Sequence, residues 1–275
     1  MVPPSTKPAL AGVQASRGLA ELERRLAEIQ AAGLRRSLRS IGPINGPRIT
    51  IEGRDCLLMA SNDYLGLNNH PCLAEAALEG ALTGGTGSGA SRLISGTLDA
   101  HVELENEIAR FKHAEAALFM ATGFMTNLSV ITGLAGPGDL IVSDELNHAS
   151  IIDACRLSRA QVKVYPHCDS AAAHQLLTDS PARLKLLVTD GVFSMDGDLA
   201  PLPELLSAAQ SAGALLVVDD AHATGVWGAT GRGTAEHFGI MPPAELVMVG
   251  TFSKALGGFG GFCAGSRTVI DSLVN

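Results

Sequence analysis

Lys254 combines a reactive side chain with surroundings that favour its use. It ends the run Thr251–Lys254, which follows a predicted strand, and it precedes the glycine-rich run Gly257–Gly261. A lysine among apolar neighbours loses part of its proton affinity and becomes an amine nucleophile that forms Schiff bases with carbonyl compounds. Glycines let the backbone pass close to a bulky ligand. The alternative is an ordinary surface lysine at a strand end.

Polar or ionisable groups also follow four earlier predicted strands. These groups lie in residues 122–127, 144–148, 191–197 and 219–225. In open α/β sheets, ligands bind at the carboxyl ends of the strands. Because the chain has few charges, this convergence predicts a single site at which all five strand ends meet.

Asp219 and His222 have the chemistry that a pyridoxal phosphate site requires besides a lysine. Such a site needs a carboxylate for the pyridine nitrogen, a partner for the phenolic oxygen, a flat group on the ring and donors for the phosphate. Asp219 ends a predicted strand and His222 follows three residues later, which suits the first two requirements. Without the lysine, Asp219 is equally well explained as a helix N-cap or a metal ligand.

The remaining requirements have candidates with ordinary alternatives. His148 is a candidate for stacking on the ring, and the alternative is a capping or packing histidine. Gly123 and Phe124 open a predicted helix, whose free N–H groups suit a phosphate, although an ordinary strand-to-helix turn has the same sequence. Ser194 and Thr251 supply hydroxyls that either contact the ligand or satisfy nearby backbone groups.

Other ligand motifs are excluded by their context. The glycine-rich run Gly84–Gly89 follows a helical stretch, whereas a dinucleotide-binding loop follows a strand. The sequence has neither a Walker-type phosphate loop nor the G-x-S-x-G motif of serine hydrolases. No histidine or cysteine spacing matches a zinc site, so we predict no metal.

Alternating helical and strand patterns from about residue 70 onward predict an α/β layered domain. Short continuous apolar runs are typical of strands buried on both faces, as in a mainly parallel sheet covered by helices. Before this region, the sequence predicts a loose tail over 1–15 and an amphipathic helix over 16–32 that ends at Gly33. The predicted helices are 71–82, 98–112, 124–135, 148–158, 170–178 and 202–212, and the first turn of another begins near 271. The predicted strands are 48–51, 56–60, 115–120, 139–143, 161–166, 184–190, 214–219 and 246–251.

Composition excludes several classes of protein. Hydrophobic residues make up 46% of the 275-residue chain and charged residues 17%, unlike a disordered chain. A formal net charge of −8 disfavours partners such as nucleic acid or an anionic membrane surface. No apolar run approaches the ~18 residues of a membrane span, and the N-terminus does not resemble a signal peptide. The five cysteines contain no C-x-x-C pair, which fits a reducing cytoplasm.

Several motifs together resemble the α-oxoamine synthase family of fold-type I pyridoxal phosphate enzymes. The resemblance covers about residues 16–275 of this chain. The motifs that carry it are Ser61–Leu67, Gly87–Arg92, Ser95–Glu105, Thr189–Asp198, Asp219–His222 and Thr251–Gly257. It implies a three-layer large domain with a mainly parallel sheet, which we place at 61–275 after an N-terminal segment at 1–60. It also implies a C-terminal small domain beyond residue 275, with an arginine for the amino acid carboxylate.

The resemblance implies roles for individual residues. Lys254 would hold pyridoxal 5'-phosphate and remove the substrate α-proton, with Asp219 at the ring nitrogen and His148 stacked on the ring. The other cofactor contacts would be Gly123, Phe124, Ser194, His222 and Thr251, and Arg35, Asn62 and His148 would contact substrates.

The implied reaction condenses L-alanine with an acyl thioester, with loss of CO2, to give an aminoketone. Within the family, the likeness is greatest to the member of the biotin pathway, which uses a pimeloyl thioester. The alternatives are another substrate pair, such as glycine with acetyl-CoA, and a catalytically silent protein of the same fold. The resemblance further implies a homodimer, with the N-terminal helix and the run 84–96 as candidate interface elements. The alternative for the run 84–96 is a mobile surface loop.

Overall fold

A seven-stranded sheet forms the centre of the computed structural model of this chain. The structure describes residues 16–42, 44 and 46–275. These residues belong to two compact units that meet in sequence between Leu57 and Leu58. The predicted tail over 1–15 lies outside the described residues. The domain boundary that we placed at residue 60 stays a prediction.

The N-terminal unit contains one helix and one hairpin. Helix α1 (Arg17–Ala31) is capped by Ser16, whose Oγ accepts a hydrogen bond from the N–H of Leu19, and its four apolar residues are exposed. Strands β1 (Arg48–Ile51) and β2 (Arg54–Leu57) pair antiparallel around Glu52 and Gly53, which both have positive φ. This is the two-residue turn that matches the twist of a hairpin. The second strand therefore begins two residues before the predicted strand 56–60 and ends at Leu57.

The second unit contains the sheet, in the order β3-β9-β8-β7-β6-β4-β5. Its strands are β3 (Ala116–Met120), β4 (Leu140–Asp144), β5 (Gln161–Tyr165), β6 (Lys185–Asp190), β7 (Leu215–Asp219), β8 (Leu246–Thr251) and β9 (Gly261–Gly265). Strands β4 to β8 are parallel, and β9 runs antiparallel between β3 and β8. The sheet is therefore mainly parallel, as predicted.

Helices cover both faces of this sheet. The helices of this unit are α2 (Pro71–Gly84), which has no buried residue, α3 (Asp99–Lys112), α4 (Gly123–Leu134), α5 (Ala149–Ser158), α6 (Ser170–Thr178), α7 (Leu202–Ser211), the short α8 (Thr234–His237) and α9 (Arg267–Val274). One core cluster joins α3, α6 and α7 to the sheet, and the other joins α4, α5 and α9. Along β4, Leu140 and Val142 belong to the first cluster and Ile141 to the second, as the two-residue period of a strand requires. The result is three layers.

All the elements predicted between residues 71 and 251 are present, with ends within two residues of the predicted ones. Three features were missed, and the start of α9 was placed too late. Strand β9 begins and ends with glycine, so its sequence was indistinguishable from the glycine-rich run before it. Helix α8 and the π-helical turn Arg92–Gly96 are too short for a periodic pattern, and α9 begins four residues before the predicted turn near 271.

Within the described part of the chain, no helix is both long and apolar enough to span a membrane. All five cysteines are free thiols. Cys155 and Cys263 are buried in the layer formed by α4, α5 and α9.

Candidate active site

A cavity of about 220 Å³ lies at the carboxyl ends of the central strands. Strands β4 and β6 to β8 run parallel, so their carboxyl ends and the residues that follow them reach the same edge of the sheet. Most of the side chains predicted for the site line this cavity: Gly123, Phe124, His148, Asp219, His222, Thr251 and Lys254. The predicted convergence of the strand ends is therefore present in the fold.

Lys254 lies in the connection between β8 and β9, and its amine contacts His222. The distance from Lys254 Nζ to His222 Nε2 is 2.8 Å, and His222 Nδ1 lies 2.6 Å from the hydroxyl of Tyr64. Burial lowers the pKa of Lys254, although the negative charges of Asp219 and Asp190 oppose the effect. Burial, together with the positive charge of Lys254 and with His148, lowers the pKa of His222 to about 4. The imidazole is therefore neutral at physiological pH, and the lysine amine is easier to deprotonate than an exposed one.

Two aspartates end neighbouring strands beneath the cavity. Asp219 of β7 and Asp190 of β6 are partners in the parallel ladder, and both are buried. Asp219 Oδ1 accepts a hydrogen bond from the N–H of Ala221, and Asp190 Oδ2 accepts one from the N–H of His148. Burial raises the pKa of Asp190, and the neighbouring charge of Asp219 raises it further. Asp190 therefore binds a proton more readily than an exposed aspartate does.

Helix α4 points its first turn into the same cavity. Thr122 caps the helix through its Oγ1, which accepts a hydrogen bond from the N–H of Met125. The N–H groups of Gly123 and Phe124 have no partner within the helix, because the first residues of any helix lack one. Such groups at the positive end of a helix dipole suit a phosphate.

His148 caps a helix and also lines the cavity, while its stacking on a cofactor ring stays a prediction. Its Nδ1 caps helix α5 by accepting a hydrogen bond from the N–H of Ser150 at 3.2 Å, and its ring also lines the cavity. Thr251 is similar, because its hydroxyl donates to the carbonyl oxygen of Gly260 and also lines the cavity.

Three predicted residues are not brought to the cavity lining. Ser194 is exposed in the turn after β6. Asn62 is exposed, and its Oδ1 accepts a hydrogen bond from the hydroxyl of Tyr64, which in turn contacts His222. Arg35 belongs to the other unit, where it is exposed. The roles predicted for these residues stay predictions.

Sequence reasoning assigned no individual role to five polar residues that line the cavity. They are Thr122 before α4, Asn127 on α4, Ser150 on α5, Asp190 at the end of β6 and Ser253 beside the lysine. Asp190 could have been found, because it follows a buried strand as Asp219 does. Asn127 and Ser150 lie inside helices, where a polar residue gives no signal of which wall it faces.

A second polar cluster lies at the ends of β4 and β5, where Asp144, His167 and Cys168 have possible metal-binding atoms within 4.8 Å of one another. Hydrogen bonds account for this arrangement. His167 Nδ1 lies 2.9 Å from Asp144 Oδ1, and its Nε2 lies 2.7 Å from Asp198 Oδ2. Because carboxylates accept on both sides, these hydrogen bonds favour the protonated ring. The expected absence of a metal stays a prediction.

His167 makes the stability of this region depend on pH. Burial lowers the pKa of His167, but the hydrogen bonds to Asp144 and Asp198 outweigh this effect and raise it above its usual value. A raised pKa in the folded state means that the stabilisation is complete below the unfolded value of ~6.5 and is lost as the pH rises through the folded value. We expect the difference in unfolding free energy between the parent and His167→Gln to shrink from pH 6 to pH 9 in urea titrations.

The matched control for this titration is His174→Gln on α6, because His174 is exposed and its ring contacts the hydroxyl of Thr178 and forms no salt bridge with a carboxylate of the described residues. Its difference from the parent should not change with pH over the same range. A constant difference for His167→Gln would show that the bridge between the two aspartates is not formed.

The donor set of the cavity fits pyridoxal phosphate. An amine with a lowered pKa, a buried carboxylate, a neutral imidazole and the start of a helix line one space. In addition, Oδ1 of the buried Asn127 has no hydrogen-bond partner among the described residues. The residues that would hold the cofactor are Lys254, Asp219 and His222, with Gly123 and Phe124 at the phosphate.

Comparisons with known proteins identify the family of this chain. The aminotransferase class I and II family model matches residues 54–275. The 8-amino-7-oxononanoate synthase of Geobacter sulfurreducens is 52% identical over 91% of this chain and 64% of its own length. That of Methylococcus capsulatus is 50% identical over 90% of this chain and 64% of its own length.

Solved structures of similar fold also include an 8-amino-7-oxononanoate synthase. A serine palmitoyltransferase from S. paucimobilis with a bound PLP–myriocin aldimine has a TM-score of 0.83 and 31% identity, over 92% of this chain and 64% of that one. An 8-amino-7-oxononanoate synthase from Francisella tularensis has a TM-score of 0.67 and 31% identity, over 78% of this chain and 60% of that one. This chain thus spans about 64% of the length of the curated relatives. By its fold, its site and the match over most of its length, the chain belongs to the aminotransferase class I and II family.

Proposed function

We propose that this chain forms the cofactor-binding part of a pyridoxal phosphate-dependent acyltransferase that makes 8-amino-7-oxononanoate for biotin synthesis. The substrates would be L-alanine and a pimeloyl thioester, and the condensation would release CO2. The observation that carries the proposal is that Lys254, Asp219, His222 and the start of α4 line one cavity. The identity of about half to named synthases supports the choice of substrates.

Pyridoxal phosphate, when bound, supplies an electron-withdrawing ring that stabilises a carbanion at the α-carbon of an amino acid. Lys254 would hold the cofactor through its amine and would accept the substrate α-proton at Nζ. Its lowered pKa suits both roles, because each requires a neutral amine. Asp219 would hold the proton at the ring nitrogen.

The other lining residues orient and shield the reacting groups. His222 is neutral and positions its ring through Tyr64, so that it can hydrogen-bond the phenolic oxygen. His148 would pack on the ring and exclude water from that face. Gly123 and Phe124 would bind the phosphate through their backbone N–H groups. Ser194, Thr251, Asn62 and Arg35 complete the proposed contacts, the last two with the substrates.

A homodimer in the cytoplasm is part of the proposal. Exposed apolar side chains on α2 and in the π-helical turn after it support an interface there: Leu78, Leu82, Leu93 and Ile94 are each more than 60% exposed. Side chains of this kind bury apolar area when a second copy covers them. A monomeric mass in light scattering of the purified protein would contradict the dimer. Free cysteines fit a reducing compartment.

The proposed function is tested by cofactor spectra and product mass. The purified protein, supplied with pyridoxal phosphate, should show visible absorption from the lysine-bound cofactor that changes when L-alanine is added. With pimeloyl thioester present, mass spectrometry should detect 8-amino-7-oxononanoate. If product forms only from glycine and acetyl-CoA, these two compounds are the substrates instead of L-alanine and the pimeloyl thioester. If no amino acid changes the absorption spectrum, the result favours a catalytically silent protein.

Asp219→Asn should keep the cofactor but slow the reaction. The amide has the shape of the carboxylate but lacks the charge that holds the ring nitrogen protonated. A hydrogen bond to a charged group contributes ~1.5–3 kcal/mol, which corresponds to a loss of about 10- to 100-fold in kcat. Steady-state kinetics should find this loss, while phosphate contacts retain the cofactor. A kcat within about twofold of the parent would mean that another group serves the nitrogen.

A further inference from the structure

A chain of buried hydrogen bonds joins the two residues proposed to lie on and beside the cofactor ring. Asn127 Nδ2 donates to Asp219 Oδ2 at 2.6 Å and to Ser150 Oγ at 2.9 Å. Ser150 Oγ in turn lies 2.7 Å from His148 Nδ1. Asn127 and Ser150 are each 1% exposed. This connection links α4, α5 and the end of β7 beneath the cavity.

The donor and the acceptor of each hydrogen bond in this network follow from the chemistry of the groups. A carboxylate offers only acceptors, so the amide nitrogen of Asn127, and not its oxygen, faces Asp219. Ser150 Oγ accepts from the same amide, which leaves the serine proton to be donated to His148 Nδ1. The backbone N–H of Ser150 also points at Nδ1, at 3.2 Å, and a backbone N–H can only donate. His148 Nδ1 is therefore a lone pair, and the proton of the neutral ring is on Nε2.

We infer that Asn127 and Ser150 are positioning residues that fix the tautomer of His148 and the orientation of the Asp219 carboxylate together. Asp219 is held at both oxygens, Oδ1 by the N–H of Ala221 and Oδ2 by Asn127. The network leaves His148 a single donor, Nε2–H. The inference rests on the proposed function for its catalytic meaning, but the histidine tautomer is a property of the cofactor-free protein.

The primary test reads the tautomer of His148 without cofactor. In ¹⁵N-histidine-labelled protein at neutral pH, long-range proton–nitrogen spectra should show His148 as one neutral form protonated at Nε2, with the signal assigned by its loss in His148→Gln. Asn127→Ala frees the serine hydroxyl to rotate, and Ser150→Ala removes it. Each should raise the fraction of other ring forms by about three- to tenfold, as expected for one lost neutral hydrogen bond.

The matched control is Thr132→Ala, because Thr132 is on the same helix and its hydroxyl bonds only to the carbonyl oxygen of Leu128. This variant should leave the His148 signals unchanged. If Asn127→Ala fails to fold in thermal denaturation, Ser150→Ala decides the result, because it removes only one oxygen atom. An unchanged tautomer in the folded variants, or an equal change in Thr132→Ala, would overturn the inference.

Kinetics give a second, independent measurement. In the enzyme loaded with cofactor, Asn127→Ala should lower kcat by about 10- to 100-fold with KM for alanine within about threefold, because it removes one charged hydrogen bond from Asp219. If the variants change the tautomer of His148 but the parent shows no turnover, the inferred network stands and only the proposed function is contradicted. A parent-like kcat in Asn127→Ala would contradict the positioning role.

Discussion

We expect Lys254→Ala to remove the visible absorption of the bound cofactor and all measurable turnover. No other described lysine lines the cavity, so no other amine can replace it. Loss of the proton acceptor alone slows a reaction by about 10²- to 10⁴-fold, and loss of covalent attachment adds to this. Absorption spectra and product formation from alanine measure the two effects separately.

The fold should survive this substitution. Burial opposes the charge of Lys254, so its removal relieves a desolvation cost in the cofactor-free protein. Circular dichroism and the melting temperature should therefore match the parent or exceed it. Lys185→Ala is the matched control, because Lys185 begins β6 at the end of the sheet opposite the cavity. Retention of the lysine-bound spectrum in Lys254→Ala would reject the site assignment.

Lys112→Met should be the most destabilising of the lysine substitutions. The Lys112 side chain is fully buried, and its Nζ donates to Asp220 Oδ2 at 2.9 Å, to Thr224 Oγ1 at 3.0 Å and to the carbonyl oxygen of Arg232 at 2.6 Å. Methionine preserves the stem but leaves the carboxylate of Asp220 buried without its counter-charge. Breaking such a pair from one side costs about 3–5 kcal/mol of unfolding free energy, measurable in urea denaturation.

A second substitution separates the charge from the packing. Lys112→Met combined with Asp220→Asn removes both charges and should recover part of the loss, because the buried carboxylate is no longer ionised. Lys185→Met should cost less than about 1 kcal/mol, because Lys185 is only partly buried. If Lys112→Met lowers the unfolding free energy by less than about 1 kcal/mol, water reaches Asp220 and the ion pair is not shielded from solvent.

The order of the helices and strands, and the residues proposed to hold the cofactor, could be predicted because both have local patterns in the sequence. Strands buried on both faces are continuous apolar runs, and Asp219 and Lys254 directly follow two of them. Lys112 shows where this reasoning stops. It ends α3, where a lysine is ordinarily exposed, and only the fold brings it to Asp220, 108 positions later in the sequence. The pairing of Asn127 with Asp219, 92 positions apart, was hidden for the same reason.

Strand β9 was missed because glycine gives a strand no side-chain pattern, and the consequence reached the site. The sequence predicted a strand before Lys254 and a glycine-rich run after it, but no second strand. In the structure, the chain instead reverses and pairs β9 with β8. A run of five residues with two glycines contains no information that distinguishes these two outcomes.

This reversal holds the backbone around Lys254 in place through hydrogen bonds to neighbouring backbone. The N–H of Phe252 donates to the carbonyl oxygen of Gly260, and that of Gly258 donates to the carbonyl oxygen of Phe252. Gly257 has φ +65°, and a β-carbon there would lie 2.6 Å from the carbonyl carbon of Leu67. The two backbone segments are thus in direct contact, so they should open to hydrogen exchange as one unit. We therefore expect the amine of Lys254 to change position by rotation about the bonds of its own side chain, while the backbone of this segment stays in place.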